Sequence, residues 1–321
     1  MKILITGGGG FLGFRLAKAL LARGQLGGRA IDAITLLDGA FPAAAASDPR
    51  LKAVVGDVAD PATLAAVCPP DTEAVFHLAA VVSGGAEADF DLGMRVNLLG
   101  MQLLLERMRK CARPPRLVYT SSVAAFGGEL PAVLDDETIA NPQTSYGAQK
   151  VIGEYLVTDY SRKGFLDGRS LRLPTIVVRA GKPNAAASSF ASGILREPLN
   201  GVTSECPVAP DTGVWMLSPG RVVEAFIHAW ELDPEAWGTR RWLNLPGITA
   251  TVAQMIEALK KVAGAEAAAR VVFKPDARIQ AIVKTWPANF RTPRARAMGF
   301  KADADVESII RQYVADEGLR L

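Results

Sequence analysis

A tyrosine and a lysine stand four positions apart in the segment TSYGAQK, as Tyr146 and Lys150. On a helix, this spacing puts both side chains on one face. A hydride can leave an alcohol carbon only if the hydroxyl proton also leaves, and free tyrosine, with a pKa of about 10, is almost fully protonated at neutral pH. A nearby ammonium favours the phenolate. The pair therefore predicts a proton-transfer site for an alcohol, although the same spacing also occurs on ordinary surface helices.

A pair of hydroxyls lies upstream in RLVYTSS, which reads as a strand that ends in Ser121 and Ser122. A serine at the carboxyl end of a parallel strand lies where ligands bind in open α/β sheets. Its hydroxyl can steady the substrate oxygen. A glycine turn, this serine and the Tyr-x-x-x-Lys spacing follow one another along the chain, and the three together are hard to attribute to chance.

The glycine turn follows the first apolar run, in KILITGGGGFLG, and precedes the amphipathic run LAKALLAR. Gly7, Gly10 and Gly13 have the spacing G-x-x-G-x-x-G. A tight turn, close approach of backbone to a diphosphate and close helix packing each require a residue without a side chain, and a helix N-terminus offers N–H donors to anionic oxygen. The turn predicts a dinucleotide site, with a plain strand-to-helix connection as the alternative.

Two carboxylates support the dinucleotide interpretation. The strand AITLL is followed by Asp38, 25 residues beyond Gly13, where a carboxylate can accept hydrogen bonds from the ribose hydroxyls and repel a 2′-phosphate. No arginine follows it immediately, so we expect NAD rather than NADP. The next strand ends in VVGDVAD, where Asp57 and Val58 are candidates to hold the adenine, with a simple loop carboxylate as the alternative.

The elements around these motifs alternate in the first 180 residues, as expected for a doubly wound, Rossmann-type α/β fold with a parallel sheet covered by helices. After about Arg179, Pro and Gly become frequent. We therefore predict an NAD-binding domain over residues 1–180 and a smaller, mainly substrate-binding part over 181–321, with some segments returning to the large domain, the first candidate being Trp242 to Leu245. The predicted strands are Lys2 to Thr6, Ala33 to Leu37, Leu51 to Val55, Ala74 to Leu78, Arg116 to Thr120 and Ser170 to Val177.

Composition narrows the class of function. The 321 residues are 49% hydrophobic and carry 36 basic against 33 acidic side chains, a net charge of +3 without long runs of either sign. The sequence therefore carries no electrostatic signature of nucleic-acid or membrane binding, and a small-molecule substrate is favoured. Three scattered cysteines and two histidines form no metal-ligand spacing, so we expect no metal and a reducing, cytoplasmic location.

These motifs resemble the extended short-chain dehydrogenase/reductase family, which includes nucleotide-sugar epimerases and dehydratases. The resemblance implies a nicotinamide cofactor, with Ser122, Tyr146 and Lys150 as catalytic residues, Lys150 also on the nicotinamide ribose and Asn97 supporting the site. The matching segments are TGGGGFLG (6–13), Asp38, GDVAD (56–60), FHLAA (76–80), VNLLG (96–100), YTSSVAAFG (119–127) and YGAQK (146–150). The implied cofactor-binding residues are Gly7, Gly10, Phe11, Leu12, Gly13, Asp38, Asp57, Val58, Leu78, Ala79, Ala80, Asn97, Tyr146, Lys150 and Pro174. His77, inside FHLAA, is expected to be a largely buried structural residue, and His228, on a helix, is also expected to be structural.

The substrate side separates the chemistries of this family. Its dehydratases carry an Asp-Glu pair after the strand-end hydroxyl, whereas this chain has SSVAA. Its nucleotide-sugar enzymes carry an arginine for the diphosphate in a stretch that reads GVWMLSPG (213–220) here, without arginine. The segment after the sixth strand instead offers Lys182, Asn184, Ser188 and Ser189, which suit a carboxylate and a row of hydroxyls, as in a short sugar acid, or form an ordinary polar loop.

Two segments, AAVVSGGAEADFDLG (79–93) and RAGKPNAAASSFASGILREPL (179–199), closely resemble the branch of the family that oxidises the four-carbon aldonic acid D-erythronate with NAD. The resemblance implies oxidation at C2 to the 2-oxo acid, with Ser83 beside the substrate. That branch has an acidic residue at the position of Gly85. Either Glu87 carries the polar role of that residue in this chain, or the role has no counterpart here.

Two other functions stay open, a nucleotide-sugar epimerase and a non-catalytic NAD-binding sensor, since the fold alone does not determine function. By analogy with related folds, a homodimer is expected through helices predicted at Leu92 to Cys111 and Tyr146 to Lys163.

Overall fold

The computed structural model describes residues 1–41, 48–181 and 188–321. They divide into two compact units, each built from several stretches of the chain. The first unit contains Met1–Ala125, Thr144–Arg172 and Val223–Leu243, and the second contains Phe126–Gln143, Leu173–Val222 and Asn244–Leu321.

Strands and helices alternate from the start of the chain. Up to the eighth strand the elements are β1 (Lys2–Thr6), α1 (Phe11–Arg23), β2 (Gln25–Leu26), β3 (Arg29–Ala30), β4 (Ala33–Asp38), β5 (Leu51–Val55), α2 (Pro61–Val67), β6 (Ala74–His77), α3 (Ser83–Ala88), α4 (Phe90–Gly93), a π-helix (Met94–Leu99), α5 (Gly100–Met108), β7 (Arg116–Ser122), a 3₁₀ turn (Val123–Ala125), α6 (Ser145–Arg162) and β8 (Asp167–Leu173).

Shorter strands and further helices follow. They are β9 (Thr175–Ile176), α7 (Ser189–Leu199), β10 (Ser204–Cys206), β11 (Gly213–Leu217), α8 (Pro219–Glu231), α9 (Pro234–Trp237), β12 (Trp242–Asn244), β13 (Ile248–Thr251), α10 (Val252–Ala269), β14 (Val271–Phe273), α11 (Ala277–Val283), α12 (Pro293–Ala297) and α13 (Val306–Glu317).

Seven strands form the main sheet, in the order β12-β8-β7-β6-β1-β4-β5. The pairs of β1 with β4 and β6, of β4 with β5 and of β6 with β7 are parallel. The strand order reverses between β1 and β6, and ligands of open α/β sheets bind at such a switch point, beyond the carboxyl ends of the strands. Thr6, Asp38, His77 and Ser122 end their strands at this edge, so the sheet gathers the motifs that follow them.

The first unit has an apolar core between this sheet and its helices. Leu4, Val75 and Leu117 come from neighbouring strands, and Leu104 comes from α5. All four side chains are fully buried. Strands covered on both faces read as nearly continuous apolar runs, which is why KILIT and AVFH carry no polar alternation. The doubly wound α/β fold predicted from the sequence is therefore confirmed.

The second unit has its own core. Its three-stranded sheet has the order β13-β11-β9, and β10 pairs with β14 in a separate ladder. Val177, Ile194 and Met216 are buried together with Leu259 of α10 and Ile310 of α13. Helix α7 thus packs against β10 and α10, and α10 in turn packs against α13.

One strand prediction was wrong. The run Ser170 to Val177 is two strands, because β8 ends at Leu173 in the main sheet and β9, Thr175–Ile176, pairs with β11 in the small sheet. Pro174 stands between them, and proline lacks the N–H that a continuous ladder needs. Within the described part of the chain, no helix is both long and apolar enough to cross a membrane.

Candidate active site

The glycine turn joins β1 to α1 at the carboxyl edge of the sheet. Gly7 has φ 72°, a left-handed conformation that favours glycine, and its N–H donates to Leu37 O at 2.8 Å. A Cβ on Gly13 would collide with the carbonyl oxygen of Gly7. No side chain among the described residues caps the start of α1 at Gly10. A bare helix N-terminus beside a side-chain-free turn fits a diphosphate, as required for a dinucleotide.

Asp38 ends β4 and is held beside this turn. Its Oδ2 accepts a hydrogen bond from Gly9 N at 3.0 Å, and its Oδ1 accepts one from Ala40 N at 3.4 Å. Backbone donors therefore orient the carboxylate at the position where it can accept hydrogen bonds from ribose hydroxyls. This arrangement fits NAD, because a 2′-phosphate would face a fixed negative charge.

The segment after β5 holds the two residues predicted for the adenine. Asp57 Oδ1 accepts from Ala59 N at 2.8 Å, and Oδ2 pairs with Arg95 of the π-helix. Partial burial acts to raise the pKa of Asp57, but the Ala59 and Arg95 contacts hold it below its ordinary value. Val58 is buried against Gly100. The sequence reasoning missed Arg95, although its position directly before VNLLG (96–100) was a signal.

The segment after β6, which contains Leu78, Ala79 and Ala80, is tied to β1 and to the π-helix. Leu78 N donates to Thr6 O at 3.0 Å. Asn97 accepts from Val81 N at 2.8 Å and donates to Val81 O at 3.0 Å. Its Nδ2 also donates to Gln149 Oε1 of α6 at 2.7 Å, in a buried contact. Asn97 therefore links the post-β6 segment to the helix that carries Tyr146, and π-helical turns often mark functional sites.

Helix α6 begins beside the predicted catalytic tyrosine. Thr144 caps it by accepting a hydrogen bond from Gly147 N at 3.1 Å, and Glu87 Oε2 of α3 accepts from Ser145 N at 3.0 Å. Glu87 thus holds the backbone of Ser145, the residue that precedes Tyr146. A carboxylate is also favourable at a helix N-terminus.

The three predicted catalytic residues belong to two adjacent elements, β7 and α6. Ser122 is the last residue of β7, and its Oγ accepts from Ala124 N at 3.1 Å. Lys150 lies one turn after Tyr146, with Nζ 5.5 Å from the centre of the Tyr146 ring. The same Nζ donates to Thr120 O at 2.8 Å, two residues before Ser122. The ammonium is thus fixed between the end of β7 and the phenol.

Burial controls the charge of this lysine. Lys150 is 2% exposed, and desolvation lowers its pKa to about 7, while the carboxylate of Glu154 acts in the opposite direction. A buried ammonium with a pKa near neutrality is typical of functional sites rather than of surface helices. The surface-helix alternative for the Tyr-x-x-x-Lys spacing is therefore excluded for Lys150.

A buried polar network lies behind the strand end, and the sequence reasoning missed it. Glu154 Oε1 accepts from Ser121 Oγ at 2.5 Å, and both carboxylate oxygens accept from Arg172 of β8, at 2.8 and 2.7 Å. The side chains of Glu154 and Arg172 are each 2% exposed. The spacing Tyr146, Lys150, Glu154, one residue per turn on one face of a helix, was the available signal.

His77 has a structural environment. It is fully buried, its Nδ1 lies 2.6 Å from Thr6 Oγ1, and its ring stacks on Tyr119. Desolvation and the charge of Lys150 lower its pKa to about 3, so the imidazole is neutral. His228 lies on α8. Over residues 1–41, 48–181 and 188–321, no group of three or more His, Cys, Asp and Glu could hold a metal ion.

The remaining predicted residues are spread over several elements. Phe11 and Leu12 begin α1, Ser83 begins α3, and Pro174 is buried between β8 and β9. Ser188 Oγ accepts from Arg179 Nη2 at 3.3 Å in the second unit. Lys182 and Asn184 lie outside the described residues.

These features define a dinucleotide-binding α/β enzyme fold, and the model of the NAD dependent epimerase/dehydratase family matches residues 3–229. The protein belongs to this family, and its cofactor is NAD, in agreement with the glycine turn and Asp38. The resemblance to extended short-chain dehydrogenases/reductases is thereby confirmed.

Two curated relatives align with nearly the whole chain. The D-erythronate dehydrogenase of Cupriavidus necator is 57% identical over 323 residues, covering 99% of both chains. The D-erythronate dehydrogenase of Haemophilus influenzae is 44% identical over 314 residues, covering 98% of this chain and 99% of the relative. A crystal structure named as a nucleoside-diphosphate-sugar epimerase from Agrobacterium tumefaciens superposes with a TM-score of 0.94 at 43% identity, covering 99% of this chain and 94% of that one.

Proposed function

We propose that this protein is an NAD-dependent dehydrogenase that oxidises D-erythronate, or a closely similar short aldonic acid, at C2 to the 2-oxo acid. The observation that carries the chemistry is the buried Lys150 ammonium, held by Thr120 O one helical turn from Tyr146. The choice of substrate is supported by the two D-erythronate dehydrogenases, which align over 99% and 98% of the chain.

In the proposed reaction, the C2 hydroxyl of the substrate gives up its proton to the Tyr146 phenolate. The glycine turn and Asp38 would hold NAD, which would supply the acceptor for the hydride that leaves C2 with the electron pair of its C–H bond. Lys150 favours the phenolate by its positive charge, and Ser122 donates a hydrogen bond to the substrate oxygen as the carbonyl forms. We further propose that Ser83, Lys182, Asn184 and Ser188 bind the substrate, because hydroxyl, amide and ammonium groups suit an aldonate.

The test is a substrate panel with purified protein and NAD, followed by the absorbance of reduced nicotinamide. D-erythronate should give the highest kcat/KM among erythronate, threonate and longer aldonates. Each substrate is also run with the Tyr146→Phe variant, which should leave only residual turnover. No reduction with any aldonate would reject the proposed substrate class.

A nucleoside-diphosphate-sugar epimerase is the second candidate, because the Agrobacterium protein of that name superposes with a TM-score of 0.94. Against it, the stretch GVWMLSPG lacks the arginine expected for a sugar-nucleotide diphosphate. Turnover of a UDP-sugar without reduction of added NAD, together with silence on aldonates, would establish this alternative. NAD binding without turnover of either class would instead favour a sensor.

We also propose a cytoplasmic homodimer, formed through the face that α6 and the π-helix present to solvent. Leu99, Ile152 and Tyr155 are 43%, 42% and 68% exposed on these elements, and exposed apolar side chains grouped together mark protein interfaces. Ile152→Lys should shift the protein from dimer to monomer in sedimentation velocity. Ile139→Lys, at an 83% exposed isoleucine of the other unit, should leave the oligomer unchanged. A wild-type monomer would reject the proposal.

A further inference from the structure

We propose that Glu154 is a positioning residue of the active site, which holds Ser121 at the end of β7 and keeps Lys150 in its ammonium form. The proposal rests on the proposed function, because there Ser122 and Lys150 act on the substrate oxygen and on Tyr146. Glu154 itself is assigned no contact with substrate.

Three elements meet at the Glu154 carboxylate. Oε1 accepts hydrogen bonds from Ser121 Oγ of β7 and from Arg172 Nε of β8, and Oε2 accepts from Arg172 Nη2. The Arg172 guanidinium also lies 3.9 Å from the centre of the Trp242 ring. This bidentate ion pair fixes the carboxylate in one orientation, and the Trp242 ring restricts the movement of the guanidinium.

The position of Glu154 along the chain connects this anchor to the proposed chemistry. Ser121 is the direct neighbour of Ser122, so its hydrogen bond to Glu154 restrains the strand end from which the catalytic hydroxyl projects. Lys150 is one helical turn before Glu154 on α6. One carboxylate therefore acts on both partners of Tyr146.

The surroundings of Lys150 make this negative charge important. Desolvation lowers the lysine pKa to about 7, and Glu154 raises it. Among the described residues, the groups that face the ammonium are Thr120 O, the rings of Tyr119 and Tyr146, His77 and Glu154. The imidazole of His77 is neutral above about pH 3, so the negative charge that opposes desolvation is the Glu154 carboxylate.

The tyrosine and the lysine titrate as a coupled pair. Loss of one proton yields either a phenolate beside an ammonium or a phenol beside a neutral amine, and only the first form can take a proton from substrate while Lys150 stays charged. Glu154 is one turn from Lys150 and two turns from Tyr146, so its charge favours the ammonium more than it disfavours the phenolate. Without Glu154, the inactive form gains population.

The first experiment measures Lys150 directly, without substrate. Lysines carrying ¹³C at Cε are titrated by NMR in the full-length protein, and the Lys150 signal is identified by its loss in Lys150→Arg. Glu154→Gln should lower the Lys150 pKa, whereas Ser121→Ala, which removes the hydrogen bond but keeps the carboxylate, should leave it unchanged. An unchanged pKa in Glu154→Gln would overturn the electrostatic part of the proposal.

The second experiment reads out catalysis. Glu154→Gln should lower kcat and change KM less. The fall in kcat should be smaller than the loss of about 10²-fold or more that is expected when the proton-transfer group itself is removed. The midpoint of the rise of kcat with pH should move to lower pH. Glu154→Asp, which keeps the charge, should restore the midpoint. A fall in kcat with the midpoint unmoved would mean that Glu154 acts only on packing.

Two controls separate the possible failures. If the wild type is inactive on aldonates, the proposed function is rejected, while the NMR titration still decides the role of Glu154. If Glu154→Gln does not fold because it leaves Arg172 buried without its partner, the double variant Glu154→Gln/Arg172→Met removes the ion pair as a unit. The Glu154 carboxylate raises the Lys150 pKa, whereas loss of the Arg172 cation would by itself favour the ammonium, so the pKa should fall in the double variant by less than in Glu154→Gln. No fall in either variant refutes the electrostatic part of the proposal.

Discussion

At the scale of single residues, Tyr146 and Lys150 differ in what their surroundings do to them. The lysine is buried and donates to a main-chain carbonyl, whereas the tyrosine begins a helix at the carboxyl edge of the sheet. Because the Lys150 side chain is buried and its ammonium is held in place, its charge can favour the phenolate form of Tyr146 without the ammonium itself binding the substrate oxygen. The proposed roles, Tyr146 as the base and Lys150 as its activator, are consistent with this difference in burial.

Tyr146→Phe removes the phenolic oxygen and little else. We expect kcat to fall on the order of 10²- to 10⁴-fold, the contribution of a positioned proton-transfer group. NAD affinity, measured by isothermal titration calorimetry, should change little. Tyr160→Phe is the matched control, because Tyr160 lies on the same helix and its hydroxyl donates to Glu106 of α5, away from Lys150 and Ser122. Equal rates for Tyr146→Phe and wild type would refute the assigned role.

Asp38→Asn should relax the choice of cofactor. The amide keeps an acceptor for Gly9 N but loses the negative charge, so hydrogen bonding to ribose weakens and repulsion of a 2′-phosphate disappears. The ratio of kcat/KM with NAD to that with NADP should fall about 10-fold or more, since hydrogen bonds to charged groups are worth about 1.5–3 kcal/mol. Asp71→Asn, at a 60% exposed carboxylate, should leave the ratio unchanged.

At the scale of elements, the start of α6 decides where Tyr146 points. Thr144 and Glu87 each accept a hydrogen bond from one of the first N–H groups of this helix, and Glu87 comes from α3, which follows the segment that contains Leu78 to Ala80. The helix start is thereby joined to the cofactor side of the sheet. A helix end held by two acceptors frays less than one that water alone satisfies.

Thr144→Ala tests this element. Loss of an N-cap side chain costs about 1 kcal/mol, so the melting temperature should fall, and kcat should fall with it because Tyr146 occupies the loosened turn. Thr144→Ser keeps an acceptor oxygen and should restore both quantities. Thermal unfolding and NAD reduction are measured on the same samples. A lower melting temperature with unchanged kcat would mean that the cap does not position the tyrosine.

At the scale of the whole molecule, burying Lys150 makes stability depend on pH. Its pKa is about 7 in the folded chain and about 10.4 in an unfolded chain, so the unfolded state binds more protons between these values. Stability contributed by the neutral amine is therefore present above about pH 10.4 and is lost as pH falls towards 7. The proposed activity needs the charged form of Lys150, whereas its burial makes the folded state more stable when Lys150 is neutral.

Comparison with Lys150→Met isolates this effect, because methionine fills similar space without a charge. The free energy of unfolding of the wild type, relative to that of the variant, should rise by on the order of 3 kcal/mol between pH 7 and pH 10. Denaturant titrations at several pH values provide the measurement. A difference that stays constant over this range would show that Lys150 has an ordinary pKa in the folded protein.

The sequence by itself determined most of the parallel strands of the large sheet and the chemistry-bearing residues at their ends. Apolar runs such as KILIT and AVFH, each followed by a motif, predict buried parallel strands, and parallel strands necessarily present their carboxyl ends at one edge. Gly7, Asp38, Ser122, Tyr146 and Lys150 could therefore be selected before any coordinates. These are local signals, since each depends on a residue type at a short, defined spacing.

Only the tertiary structure decided which charges meet. Glu154 and Arg172 belong to different elements and form an ion pair because β8 lies beside β7 in the sheet, which no local spacing encodes. The same holds for Glu87 at Ser145 and for the end of β8 before Pro174, where the chain changes sheets. Burial changes a lysine that looks ordinary in sequence into one with a pKa near 7, and burial is a property of everything packed around it.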